Sequence, residues 1–264
     1  MRFAVYQTSR IGARNYNQDR VAHAYTNDAL LLVLADGMGG HSYGDIAAQI
    51  VIDTFMRAFV RIALSRIPDP AVFLRETMHD SHEAIIHHAG LNQLEGSPGT
   101  TCVAALVQDG EVTWAHAGDS RFYLLRDQNV NSVSRDHSVV QQLADLGRIS
   151  EAEMGTHPER NKITNCLGGV GDIFYVDSSP TIPVQPGDVL LLCSDGLWGP
   201  LANSEIADAF AGEDLPESLE RLVDVALLRD QGRADNTTAV VARLGASEDE
   251  HKTDMPVCRV FDCR

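Results

Sequence analysis

Apolar and polar positions form two kinds of pattern along this chain, one typical of strands and the other of helices. Runs that are apolar throughout occupy 29–34, 189–193 and 239–242, and each has the length of a buried strand. Over 44–65 the apolar residues instead recur every three or four positions, with charges between them, which predicts an amphipathic helix. Similar spacing predicts a second helix after Pro70.

Turn residues separate further elements. Asp109-Gly110 lies between two apolar segments and is a strong hairpin signal, which predicts antiparallel strands at 100–108 and 111–117. Together these elements predict an α+β fold in which a central antiparallel β-sandwich has helices on its outside. The remaining predicted elements are a strand at 120–126, a short helix near 139–146, closing helices at 204–210 and 216–228, and a last strand at 239–242.

Carboxylates stand where several of these strands begin or end. Asp36 follows the first apolar run and precedes Gly37, and Asp195 follows the second run in the same way. Asp119 comes just after the strand predicted at 111–117, and Asp235 comes just before the last strand. A single Asp-Gly pair is typical of an ordinary turn. Four acids at strand ends instead predict one shared cluster.

Such a cluster needs positive charge. Two carboxylates about 4 Å apart repel by roughly 4 kcal/mol at an effective dielectric of 20, so several of them do not stay ionised unaided. A site built from oxygen ligands favours Mg²⁺ or Mn²⁺ over zinc. Two such ions held side by side are a common device for in-line displacement at phosphorus. The residues alone therefore predict a hydrolase that acts on phosphate.

Length, charge and cysteine content narrow the class of protein. A chain of 264 residues with 44% hydrophobic residues can bury one large core, so we expect one domain. Its formal net charge of −16 disfavours nucleic acid and anionic membrane surfaces as partners. No apolar run has the length of a membrane span, and the first residues lack a signal-peptide pattern. Five cysteines without a Cys-x-x-Cys pair favour the reducing cytoplasm.

Five short motifs follow one another along the chain, and each is weak alone. In this order they resemble the signature of the bacterial metal-dependent, type 2C, serine/threonine protein phosphatases. The resemblance covers about residues 1–244 and implies an α-β-β-α catalytic domain with a flap at about 143–170, followed by a tail at 245–264. The motifs are Arg14-Asn15-Tyr16-Asn17-Gln18-Asp19, Asp36-Gly37-Met38-Gly39-Gly40-His41, Gly118-Asp119-Ser120-Arg121, Ser194-Asp195-Gly196-Leu197 and Asp235-Asn236-Thr237-Thr238.

The resemblance implies that Arg14 and Asp36 are the catalytic residues. Arg14 would bind the substrate phosphate, since a planar guanidinium matches two phosphate oxygens. Asp36 would bridge two of two or three Mn²⁺ or Mg²⁺ ions, and a water between these ions would attack phosphoserine or phosphothreonine without a covalent enzyme intermediate. Asp119 would serve a third, weaker ion. The full implied set of metal ligands is Asp19, Asp36, the carbonyl of Gly37, Asp119, Asp195 and Asp235.

The same resemblance implies phosphorylated proteins as substrates, among them a Ser/Thr kinase that the phosphatase opposes, and a monomer as the working form. Two alternatives stay open. One is a hydrolase that uses this metal chemistry on small phosphate esters or diesters. The other is a catalytically silent scaffold that binds a kinase or phosphoprotein, although retained metal acids count against it.

Several positions depart from the family pattern or have two interpretations. Gln18 stands where many members carry Glu, which puts the affinity of the second metal in doubt. Met38 stands where eukaryotic members carry a histidine that can protonate the leaving group, and His41 has either a packing or a catalytic role. The charged flap residues Arg148, Arg160 and Lys162 are either solvated or read acidic phosphopeptides. Small core residues, rather than nucleophiles, are expected at Cys102, Cys166 and Cys193.

Overall fold

Two antiparallel sheets stack face to face, and helices cover the outer side of each. This arrangement is seen in a computed structural model that describes residues 1–38, 43–62, 66–94, 98–169, 174–212, 214–230, 232–245 and 257–260. Within these ranges, no helix combines the length and the apolar character needed to cross a membrane.

The first sheet has five strands. In order across the sheet they are β1 (Phe3–Arg10), β13 (Thr237–Leu244), β12 (Val189–Cys193), β7 (Arg121–Arg126) and β8 (Asn129–Val133).

The second sheet is larger. Its main path runs through β10 (Asp177–Ser178), β6 (Glu111–Ala117), β5 (Cys102–Gln108), β3 (Ala29–Met38), β2 (Asp19–Tyr25) and β14 (Val257–Val260). Three short strands pair off this path: β4 (Gly99–Thr100) with β3 and with β9 (Leu167–Gly168), and β11 (Ile182–Pro183) with β6.

The helices form the two outer layers and the flap. Packed against the second sheet are α1 (Gly44–Ile62) and α2 (Pro70–Leu91). Packed against the first sheet are α5 (Asp195–Trp198), α6 (Asn203–Asp208) and α7 (Leu215–Arg229). The flap contains α3 (Val139–Asp145) and α4 (Glu151–Met154). The predicted sandwich with outer helices is therefore present.

Strand β3 shows how the pleat divides the core. Leu30, Leu32 and Leu34 lie in the apolar core between the two sheets, while the residues between them pack beneath α1 and α2. Side chains alternate between the two faces of a strand, so Asp36 continues the series that points between the sheets. The inner face of β3 therefore changes from leucine to carboxylate at its end.

The predicted helices match the structure closely. The helix expected over 44–65 begins at Gly44 and is described as far as Ile62, and 63–65 lie outside the described residues. The second begins at Pro70, where a missing amide hydrogen costs nothing. Asp69 caps it, since its carboxylate accepts a hydrogen bond from the Val72 amide at 3.0 Å.

The predicted hairpin is also present. Asp109 and Gly110 have φ of 56° and 76°, the paired positive values of a tight hairpin turn. The strand expected at 100–108 is interrupted at Thr101, but β4 and β5 pair with β3 in one continuous register.

The end of the chain differs from expectation. The run at 239–242 lies in β13, which is not the last strand, because Val257–Val260 forms β14 and pairs with β2. Within β14, Cys258 packs against the core beneath α1 and α2. The predicted tail thus contributes an edge strand to the second sheet. The domain boundary at 244 stays a prediction.

Deleting residues 246–264 is expected to lower the melting temperature by about 3–5 °C. The deletion removes β14, leaves the edge of β2 unpaired and takes Cys258 from the core, a loss on the order of 1–2 kcal/mol. Differential scanning calorimetry measures the change in melting temperature. Deleting only 261–264 is the control, because it keeps β14. Equal melting temperatures for the two shortened chains would contradict a stabilising role for β14.

Candidate metal and phosphate site

Two carboxylates face each other where β2 meets β3. The register of these strands places Asp19 directly opposite Asp36. Asp19 lies two positions before Val21, which is part of the core between the sheets, so both acids belong to the same inward face. Directly opposed side chains on antiparallel strands have Cβ atoms about 4.5–5.5 Å apart, where like charges repel. The pair therefore needs a cation or a proton.

Asp19 is buried with one oxygen unused. Its Oδ2 accepts a hydrogen bond from Ser194 Oγ at 2.9 Å. Its Oδ1 is also buried and has no partner among the described residues. A buried carboxylate oxygen without a donor is costly, and a cation is the partner that would satisfy it.

The main chain at Asp36 is held on both sides. Its amide donates to Thr101 Oγ1 at 3.1 Å, and its carbonyl accepts from the Thr101 amide at 2.8 Å and from Thr100 Oγ1 at 2.9 Å. At the next residue, Gly37, an added Cβ would lie 2.2 Å from the carbonyl oxygen of Gly44. Only glycine allows this approach of β3 to the start of α1.

The first sheet contributes two more acids. Asp195 begins α5 directly after β12, and Asp235 lies two residues before the neighbouring strand β13. The two loops touch, because an added Cβ at Gly196 would lie 2.2 Å from the carbonyl oxygen of Asn236. Neighbouring strands thus bring Asp195 and Asp235 together.

Asn236 ties these acids to the loop that carries Arg14. Its Nδ2 donates to the carbonyl oxygens of Ile11 and Tyr16 at 2.9 and 3.0 Å. Its Oδ1 accepts from the Gln18 amide at 2.8 Å. One buried amide therefore fixes both ends of the loop around Arg14.

Asp119 lies between β6 and β7 and is anchored through its backbone. Its carbonyl accepts a hydrogen bond from Trp198 Nε1 at 2.9 Å. The guanidinium of Arg121 lies 3.5 Å from the centre of the Trp198 ring and makes two hydrogen bonds of 2.7 Å to Asp136. This largely buried ion pair supports the indole that positions Asp119.

The acids form one electrostatic unit. Burial, followed by the charges of the other acids, raises the pKa of Asp36 and of Asp195 well above the usual range. Burial also raises the pKa of Asp19 to about 6 and, with the charge of Asp136 next, that of Asp119 to about 7. Each carboxylate thus opposes ionisation of its neighbours.

Arg14 lies at the exposed rim of this unit. Its Nη2 is 2.5 Å from Oδ2 of Asp235, and the two side chains are 57% and 37% exposed. The hydrogen bond to Asp235 is the main cause of a raised Arg14 pKa, and the charges of Asp195 and Asp36 add to it. A permanently charged guanidinium thus faces solvent beside the acids.

The donor set fits hard divalent cations. It consists of carboxylates with a close backbone carbonyl at Gly37, and it includes the unpartnered oxygen of Asp19. Yet no three described His, Cys, Asp or Glu side chains already stand at metal-ligand spacing. The acids lie in one region of the described structure but are not arranged as a finished coordination shell.

A cavity of about 970 Å³ opens from this site. Its lining includes Asp119, Asp195 and Asp235 together with Met154 and Arg160 of the flap. A phosphate held by Arg14 would fill only part of this volume, which leaves room for neighbouring residues of a polypeptide substrate.

The structure thus brings Arg14, Asp36, Asp119, Asp195 and Asp235 to one region, with Asp19 and Gly37 beside Asp36. Met38 ends β3, while Gly39, Gly40 and His41 lie outside the described residues. The other residues named from the sequence divide as follows: Arg160 lines the cavity, Lys162 pairs with Glu159, Arg148 is exposed, Cys102 and Cys193 are buried, and Cys166 is partly buried.

Sequence reasoning missed the residues that support the acids. Ser194 and Asn236 stand inside the motifs, but their partners lie far away in the chain. Asp136 begins the polar run Asp136-His137-Ser138 just before a predicted helix, and Ser138 caps that helix. The signal available in the sequence was this run of polar residues directly before a predicted helix. In the structure these polar residues are buried.

Known proteins resemble this chain in sequence and in fold. The family model described as protein phosphatase 2C matches residues 6–236. The serine/threonine phosphatase Stp of Listeria welshimeri is 31% identical over 242 residues, which cover 90% of this chain and 94% of that protein.

Solved structures of phosphatases also resemble this chain in fold. The serine/threonine phosphatase of S. agalactiae has a TM-score of 0.83 and 27% identity, over 92% of this chain and 99% of that one. The catalytic domain of the phosphatase PstP in complex with two manganese ions has a TM-score of 0.76 and 32% identity, over 91% and 97%.

The chain belongs to the protein phosphatase 2C family. This membership confirms the predicted family, the α+β sandwich, the enzyme class and the divalent metal cofactor. The ligand assignments to individual residues stay predictions.

The stability of the chelated protein is expected to fall as pH rises from 6.5 to 8.5. In this window aspartates of the unfolded chain are already ionised, whereas Asp119, whose pKa is raised to about 7, still carries part of a proton in the folded state, and the pKa values of Asp36 and Asp195 are raised as well. The unfolded state therefore binds fewer protons, and the free energy of unfolding falls with rising pH. Below pH 6.5 the lowered pKa values of His82 and His116 act in the opposite direction.

Melting temperatures in EDTA across this window test the sign of the dependence, with an expected fall of about 2 °C or more. Asp119→Asn should flatten the slope, since it removes one of the groups that titrate. Asp109→Asn, at an exposed hairpin position that suits asparagine, should leave the slope unchanged. A melting temperature that rises with pH in this window would contradict the interpretation.

Proposed function

We propose that this protein phosphatase hydrolyses phosphoserine and phosphothreonine esters in proteins, with Arg14 and Asp36 as its catalytic residues. The observation that carries the proposal is the mutual rise in carboxylate pKa at one end of the sandwich, with a guanidinium beside it. The names of the relatives, serine/threonine phosphatases, support this substrate class.

Asp36 is proposed to contact two ions, since it lies opposite Asp19 and its pKa responds to the charges of all the other acids. The carbonyl of Gly37 and the carboxylates of Asp195 and Asp235 complete this pair of positions. Asp119 would hold a third ion with help from Asp195. Among the neighbouring acids, Asp119 raises the pKa of Asp195 the most.

Divalent ions bound there supply positive charge beside the phosphoryl oxygens and acidify a coordinated water. The chain itself supplies orientation. Arg14 exchanges its exposed pair with Asp235 for two oxygens of the phosphate and so holds the phosphorus in line with the acids.

Among the described residues, no cysteine thiol competes as a nucleophile at this site. Cys102 and Cys193 are fully buried, and burial raises the pKa of both thiols far above neutrality. No cysteine or histidine is among the described residues that line the cavity. Water is therefore the proposed nucleophile, and the leaving alkoxide takes its proton from solvent.

The expected setting is the cytoplasm, where the enzyme works as a monomer on phosphoproteins that include an opposing Ser/Thr kinase. Free thiols at Cys102, Cys166, Cys193 and Cys258 support a reducing compartment. Nucleic acid and membranes are not expected as partners because of the net charge of −16.

Asp36→Asn and Asp235→Asn are each expected to reduce manganese-dependent release of phosphate from a phosphothreonine peptide by more than about a hundredfold. Asp36→Asn should also raise the melting temperature in EDTA, because it removes a carboxyl group whose ionisation is opposed by burial and by the neighbouring acids. Asp109→Asn is the control. Turnover that survives in Asp36→Asn would contradict its assignment.

Arg14→Ala is expected to raise KM about tenfold and to change kcat by less than about threefold. It removes a charge-assisted contact to the phosphate while the acids remain in place. Steady-state kinetics on the same peptide measure this, and calorimetric Mn²⁺ binding should be unchanged. Arg10→Ala is the matched control, since Arg10 pairs with Glu220 away from the site. A large loss of bound Mn²⁺ in Arg14→Ala would contradict a phosphate-binding role.

A further inference from the structure

The cavity that contains the acids is lined by more than the acids. The flap contributes Met154, Thr156 and Arg160 to the lining, and the segment after β12 contributes Trp198 and Leu201. Arg14 lines the same cavity. Residues that flank a phosphorylated side chain held by Arg14 would therefore contact this lining, and its chemistry would select among substrates.

Two guanidiniums in this cavity are not neutralised. Arg160 and Arg233 both line it and are exposed, and neither forms an ion pair with a described residue. The other arginines of the lining each have a carboxylate partner: Arg14 pairs with Asp235, Arg121 with Asp136 and Arg135 with Asp145. Two positive charges thus remain for a ligand.

The nearby acids do not cancel them. Glu151 and Asp230 also line the cavity, but neither comes within ion-pair distance of Arg160 or Arg233. The backbone around Arg233 is fixed, because its amide donates to the carbonyl of Asp230 at 3.0 Å.

The backbone next to Arg233 is also tied to the loop that carries Arg14. The carbonyl of Ala234, the next residue, accepts a hydrogen bond from the Ala13 amide at 2.8 Å. The main chain at Arg233 is therefore joined to the main chain beside Arg14.

Position distinguishes this pair from other arginines. Arg57, Arg61 and Arg148 are also exposed and without ion pairs among the described residues, but they lie outside the cavity. The chain as a whole carries −16 and repels anionic peptides, so local cations are needed where such a peptide is to bind.

We propose that Arg160 and Arg233 bind a second oxyanion of the substrate. The preferred substrates are phosphoproteins with a carboxylate or a second phosphate within a few residues of the target serine or threonine. This inference deepens the proposed function and rests on it.

The test compares three phosphothreonine peptides of one length: one with alanine around the target, one with aspartate, and one with a second phosphothreonine. The ratio of kcat/KM between an anionic peptide and the alanine peptide is the readout, with Mn²⁺ present. An exposed ion pair changes affinity by about two- to fivefold. Wild-type enzyme should therefore prefer the anionic peptides by about five- to tenfold, and less at high salt.

Arg160→Gln and Arg233→Gln should each lower this ratio, and the double variant should bring it close to one. Arg148→Gln is the matched control, a flap arginine outside the cavity, and should keep the wild-type ratio. A preference for both anionic peptides, or for either one, supports the inference and identifies the source of the oxyanion.

A wild-type ratio near one, or a preference that survives in the double variant, would overturn the inference. Turnover of the alanine peptide would then still uphold the proposed function. Absence of turnover on every peptide with Mn²⁺ or Mg²⁺ would instead remove the proposed function and this inference together.

Discussion

Repulsion among carboxylates is the constraint on which the site depends. Asp19 and Asp36 are fixed opposite each other by the register of β2 and β3, and the first sheet adds Asp195 and Asp235 at the same end of the sandwich. Burial, and after it the charges of the neighbouring carboxylates, raises the pKa of Asp36 and of Asp195. A rigid frame must hold them, because isolated side chains would move apart. A cation bound at this site would relieve the same repulsion.

The frame consists of backbone contacts and a continuous apolar core. Inward-facing residues of both sheets interdigitate, and this core ends where the leucines of β3 give way to Asp36. Thr100 and Thr101 fix the main chain of Asp36, and Asn236 fixes the loop of Arg14. Stability lost to repulsion is therefore offset by packing below the site.

How much of this could be predicted depends on the separation of the residues along the chain. The acids were predictable because each follows or precedes a local apolar run, as Asp36 does. Their supports were not, because Ser194 reaches Asp19 across 175 positions and depends on how the sheets stack. Strand β14 was missed for a related reason. Val257–Val260 is too short to show a period, and only the free edge of β2 makes it a strand.

Two ion pairs near the site show how burial divides similar residues into different roles. Arg121 and Asp136 are 16% and 3% exposed and make a bidentate pair, which would leave a buried charge if it opened. Arg14 and Asp235 are 57% and 37% exposed, so their pair contributes little net stability. In the function proposed above, exchange of Asp235 for a phosphate dianion would therefore cost little. The exposed arginine can change its partner, while the buried one holds the Trp198 indole and, through it, Asp119.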